Sequence, residues 1–82
     1  MPFIIERDSD RPFPEPFATM ELAAGAFGSF LADEAHDARE SDDDAAAEAI
    51  VRLHEDFRAF YRPTLLGFEG GAGQFTYRIR EV

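Results

Sequence analysis

The chain has 82 residues, with no cysteine, no lysine and 17 acids against eight arginines, for a formal net charge of -9. These values exclude disulfide frameworks, thiolate nucleophiles and cysteine-based metal centres, and the missing lysine excludes a Walker-type phosphate loop. The negative charge also opposes direct approach to nucleic acid or to an anionic membrane surface.

The length predicts one domain over residues 1–82, burying roughly 60 to 65% of the surface its unfolded chain would expose, so no metal or cofactor is needed to complete a core. Acids occupy the start of the chain where a signal peptide needs an apolar stretch, and no run approaches about 18 apolar residues. A cytoplasmic protein without membrane contact is the expectation. Arginine as the only strong base, together with abundant alanine, reads as coding bias. A salt-adapted surface would spread its acids, yet outside residues 33–48 nine acids face seven arginines.

Phe3 to Arg7 is β-branched and aromatic and predicts a strand, followed by a turn at Asp8-Ser9-Asp10. In the next stretch, Arg11 to Phe17, proline falls at positions 12, 14 and 16. Strand N–H groups alternate in direction, so the three missing donors share one side, and the segment predicts an edge strand or a polyproline-type arm. Phe13 and Phe17 would pack on the domain's own helices, or serve as apolar anchors for a partner.

Thr19 predicts a helix cap, and Met20, Ala23, Ala24, Phe27, Phe30 and Leu31 follow the spacing of a buried helical stripe. Gly25 and Gly28 weaken this helix by about 1 kcal/mol each and predict a close neighbour. Its end, between Leu31 and Arg39, is poorly marked. Ser41 reads as the cap of a second helix, with Asp42, Asp43 and Asp44 behind it, Ile50, Leu53, Phe57 and Phe60 or Tyr61 as its apolar stripe, and Pro63 as its stop. Residues 64–69 and 74–81 flank Gly70-Gly71-Ala72-Gly73 and predict a hairpin. Phe75, Tyr77 and Ile79 alternate with Arg78 and Arg80 in its last strand. The predicted fold is α+β, in ββααββ order, an antiparallel sheet with a two-helix hairpin on one face.

Few patterns point to catalysis. Asp33, His36 and Glu40 share a helical face and resemble a cation site in spacing only, and His54 lies beside an apolar stripe. No serine or threonine sits in a nucleophile elbow, and no two acids are singled out as a catalytic pair. Arg78 and Arg80 face away from the strand's aromatics, so charge and stacking do not converge for nucleic-acid binding.

The dominant feature is a patch. Between Asp33 and Glu48 eight acids stand against Arg39 alone. Asp42, Asp43 and Asp44 suit a helix N-terminus, whereas Asp33, Glu34 and Asp37 lie towards the end of the first helix, where the dipole disfavours acids. An antiparallel helix pair would gather them into one negative tip. The chain therefore predicts a non-enzymatic protein-binding module without cofactor. Its contacts would be Asp33, Glu34, Asp37, Glu40, Asp42, Asp43 and Asp44, with Phe13 and Phe17 as apolar anchors, on a partner with a basic surface. In its sharpest form this is a nucleic-acid mimic, of the kind phages direct against host defence nucleases in anti-CRISPR or anti-restriction roles. The alternative is a homodimeric or accessory-subunit domain that pairs through its final strand or an exposed patch of Leu65, Leu66, Phe68, Phe13 and Phe17. A small enzyme or metal protein using His36 is the third reading.

Overall fold

A computed structural model of the chain describes residues 2–82. The elements run β1 (Phe3–Arg7), α1 (Met20–Glu40), α2 (Asp44–Phe60), β2 (Gly67–Ala72) and β3 (Phe75–Glu81). The three strands form one antiparallel sheet in the order β1-β3-β2, with both helices on one face, α1 over β1 and α2 over β2.

The apolar periodicity places the core. Along α1, Met20, Ala23, Phe27, Leu31 and Ala35 are buried, and along α2 Ala47, Ile50, Leu53 and Phe57 face them. Phe27 sits at the centre, edge to face with Phe57 at 4.9 Å and with Phe68 at 6.0 Å, an arrangement that aligns ring edges with electron-rich faces. From the sheet, Phe3, Ile5, Ala72, Tyr77 and Ile79 complete the cluster. Tyr61, half-buried against Phe57, takes the last place in the α2 stripe, and Phe60 is left 61% exposed. Of the two glycines in α1, only Gly28 makes room for a neighbour. A Cβ there would stand 3.1 Å from His54 Nε2, while at Gly25 it would meet nothing.

The order βααββ corrects the expected ββααββ in one element. Residues 11–17 form no strand. They bend across the β1 edge and touch it once, where Phe17 and Phe3 exchange backbone hydrogen bonds of 2.7 and 2.8 Å. Phe13 and Glu15 would share the side of Phe17 in a ladder, but prolines at 12, 14 and 16 fix φ at alternate positions and the segment bends away instead of continuing the pairing. At the other end of β1, Arg7 and Asp10 exchange backbone bonds around a tight turn, in which Asp8 adopts a left-handed φ of 53° and accepts from the Thr76 N–H.

The helix boundary also differs from its prediction. Ser41 is the C-cap of α1 rather than the N-cap of α2. The Asp43 N–H reaches back to the Ala38 carbonyl at 2.8 Å and the Asp42 N–H to that of Arg39 at 3.1 Å, closing a Schellman turn with Asp42 at a φ of 59°. Asp43 then caps α2 by accepting from the Ala46 N–H at 3.1 Å. One short connection thus ends the first helix and starts the second.

The hairpin turns later than the glycine run suggests. Gly70, Gly71 and Ala72 belong to β2, and the reversal falls at Gly73, whose φ is 63°. Gly70 is in the strand because Leu53 packs against it, where a Cβ would collide with Leu53 Cδ1. Ala72 is buried and anchors the strand's end. On the sheet face away from the helices, Glu6 accepts from Arg80 Nε at 2.8 Å and Arg78 Nε at 3.0 Å. The Arg80 hydrogen bond, reinforced by both positive charges, outweighs burial and holds the Glu6 carboxyl below its usual range.

Candidate functional site

The Schellman turn brings the last turns of α1 against the first turn of α2, and with them the acids of both. Asp33, Asp37 and Glu40 stand exposed on α1, Asp42 and Asp43 on the connection, and Asp44 and Glu48 on α2. Among the described residues none of Asp33, Asp37, Asp42, Asp43, Asp44 and Glu48 is in a salt bridge. Glu40 is bonded only to His36, at 2.8 Å on the exposed face of the same helix. At the C-terminal end of α1 the dipole is negative, so Asp37 and Glu40 in its last turn raise rather than lower the energy of the helix that carries them, and Asp33 adds like-charge repulsion with Asp37 one turn away. Asp43 and Asp44 have a local structural role at the positive end of α2.

Glu34 departs from the set. Its side chain is only 17% exposed and turns in to the sheet, where it pairs with Arg7 and accepts from the Tyr77 hydroxyl at 3.4 Å. Arg7 in turn lies with its guanidinium carbon 5.1 Å from the centre of the Phe75 ring and reaches Asp10 at 3.5 Å. Hydrogen bonding to Glu34 raises the Arg7 pKa further, so that it stays cationic. Burial, aided by the Glu34 charge, pushes the Tyr77 phenol up to about 12. The three groups fasten the acidic end of the helix pair to the end of the sheet.

Between that fastening and the tip opens a cleft of about 530 Å³. Asp37 and Asp43 stand on its rim, Ala46, Ile50 and Phe75 form an apolar wall, and Arg7 with Glu34 closes the floor. Apolar wall and carboxylate rim suit a long basic side chain, whose methylene stem packs on carbon while its charged head meets the acids.

The other residues singled out in the sequence lie elsewhere. Phe13 and Phe17 are half-buried, 5.4 Å apart edge to face, and Phe13 continues onto Phe30 at 5.9 Å, so both rings extend the core on the α1 side and not at the tip. Among the described residues no group of His, Asp and Glu is arranged to hold a metal ion, and no helix is long and apolar enough to cross a membrane. Sequence reasoning did not bring Arg7, Tyr77 or Phe75 to the site. The alternation of β1, with Phe3 and Ile5 facing the helices, already puts Arg7 on that face, but its meeting with Glu34 across 27 positions is a tertiary event.

Comparison of the chain with protein-family models, with curated proteins and with solved structures returned no match.

Proposed function

We propose that the chain is a non-enzymatic protein-binding module whose helix-connection tip engages a basic surface of a partner protein. The observation that carries this reading is the row of exposed acids at Asp33, Asp37, Asp42, Asp43, Asp44 and Glu48. They lie together at one end of the helix pair, and among the described residues none of them is in a salt bridge. Carboxylates fixed on a rigid turn keep their spacing, which is what an arginine- and lysine-lined groove built for phosphates would recognise, so the sharpest form of the function is nucleic-acid mimicry. Glu34 is not among the contacts, being committed to Arg7. The cleft below the tip would receive one basic side chain of the partner.

The test uses wild-type protein beside a variant carrying Asp33→Asn, Asp37→Asn, Glu40→Gln and Asp44→Asn as bait in cell extract, after circular dichroism shows that both fold. A nucleic-acid-binding partner should be retained by wild type, lost with the variant, and displaced by added DNA and by rising salt. Recovery of the same partner by both baits, or a complex indifferent to DNA, would refute the reading.

A further inference from the structure

The two edges of the sheet are treated differently. On β1 the outward-facing backbone is occupied at both ends, by Phe17 at Phe3 and by Asp10 at Arg7. On β2 it is not. The direction of each backbone group follows from the ladder. Thr76 accepts from the Asp8 N–H and gives its own N–H to the Asp8 side chain, so Thr76 points towards β1 and its neighbours Phe75 and Tyr77 point towards β2. With the pairing Gly71↔Thr76, Gly70↔Tyr77 and Phe68↔Ile79, alternation turns Phe68, Gly70 and Ala72 inward and leaves the N–H and C=O of Gly67, Glu69 and Gly71 directed away from the sheet. Among the described residues none of these outward groups has a hydrogen-bond partner, and Glu69 and Gly71 are exposed.

Natural edge strands are blunted by proline, charged side chains or a bulge, and β2, with the sequence GFEGGA, has neither proline nor bulge and a single charge, Glu69, whose side chain lies on the sheet face and leaves the edge backbone open. Its own fold does not require Gly71, where a Cβ would meet only ordinary contact 3.8 Å away and φ is not positive. Apolar surface lies next to the edge. Leu66, immediately before β2, is 67% exposed, and the exposed Phe60 ring stands 6.2 Å from Phe68.

We propose that this edge is a dimer interface, in which β2 pairs antiparallel with β2 of a second copy about a two-fold axis at Gly70, joining the two three-stranded sheets into one. The register follows from charge and direction. An axis at Glu69 would set two glutamates opposite each other on one face. An axis at Gly70 instead puts Glu69 opposite Gly71 of the second copy, so that the outward groups of both residues bond on either side of the axis. The same register puts Phe68 opposite Ala72 of the second copy, and Phe60 then covers the junction on the helix side. A second copy is favoured over an unrelated strand because antiparallel pairing sends the two acidic tips to opposite ends. Chains of charge -9 can then associate while the tips stay apart and free. The β3 strand, being central, is closed to such pairing, which moves the expected dimer contact from the final strand to β2.

Sedimentation equilibrium from about 1 μM to 1 mM should show the mass rising to twice that of the chain, more readily at high salt, where repulsion between the copies is screened. This is opposite to the salt response expected of the tip, so failure of one idea does not imply failure of the other. The substitution Gly71→Pro removes an outward N–H without touching the β2–β3 ladder, and should weaken association about tenfold or more with unchanged circular dichroism. In wild type, exchange of the Glu69 and Gly71 amides should slow as concentration rises. A chain that stays monomeric throughout, a folded Gly71→Pro variant that dimerises as wild type does, or amide exchange at Glu69 and Gly71 independent of concentration would overturn the proposal. If Gly71→Pro does not fold, the amide measurement on wild type decides alone.

Discussion

Replacing Arg7 with methionine keeps the length and apolar stem of the side chain but leaves Glu34 without its cation, half-buried beside Phe75 and Tyr77. The pair is neither fully exposed nor fully desolvated, so the expected loss lies between the two limits, about 1 to 2 kcal/mol in urea unfolding. Glu34→Gln should cost less, because the amide can still accept from Arg7 and the buried charge is gone. Tyr77 supplies a separate, pH-dependent check. Its folded pKa, about 12, lies above the ordinary phenol value of about 10. Folding therefore favours the neutral phenol. The resulting stability is complete below about pH 10 and disappears as pH rises through about 12. The absorbance of tyrosinate should still be rising as pH approaches about 12, and Tyr77→Phe should remove that late rise.

The two helices are joined by a turn whose caps are not the ones spacing alone suggests. Asp43→Ala deletes the acceptor for the Ala46 N–H and should cost about 1 kcal/mol. Ser41→Ala, at a position that contributes only its backbone to the turn, should change stability by less than about 0.5 kcal/mol. Asp42 is left-handed, a conformation in which glycine has no penalty and β-branched residues have a large one. Thermal unfolding should accordingly place Asp42→Gly at or slightly above wild type and Asp42→Val clearly below it. An inversion of the Ser41 and Asp43 effects would mean that the cap had been assigned to the wrong residue.

Across the whole molecule the tip acids carried by α1, Asp33, Asp37 and Glu40, act against stability. They repel one another and the negative end of α1, and bases to offset them are scarce in the same region. The double substitution Asp33→Asn and Asp37→Asn should therefore raise the melting temperature at low salt by several degrees, from about 0.5 to 1 kcal/mol of relieved repulsion, and the gain should shrink as salt is added. A variant that is more stable yet no longer binds its partner would identify the acids as retained for recognition. A variant no more stable than wild type would remove the argument that the tip is energetically costly.

How much of this was legible in the chain depends on the range of the interaction. The stripes Met20 to Leu31 and Ile50 to Phe57, the strand from Phe3 and the alternation of Phe75, Tyr77 and Ile79 are local periodicities. The geometry of a single helix or strand imposes them, and they predicted four of the five elements in their places. The density of acids from 33 to 48 is likewise a property of the chain alone. What needed the tertiary structure was every feature made by residues far apart. The proline segment could pair in principle, but only its encounter with Phe3 showed that it forms a single bridge. The glycines of β2 read as turn until Leu53 was found against Gly70. The choice between Ser41 and Asp43 as cap rested on which carbonyls the turn could reach. Glu34 was one acid among many by sequence, and it left the exposed set because Arg7 stands at the end of the neighbouring strand. Local pattern determined which surfaces are apolar and which charged. Packing decided which of the charged groups remain free to meet a partner, because burial and pairing depend on neighbours that the order of residues does not name.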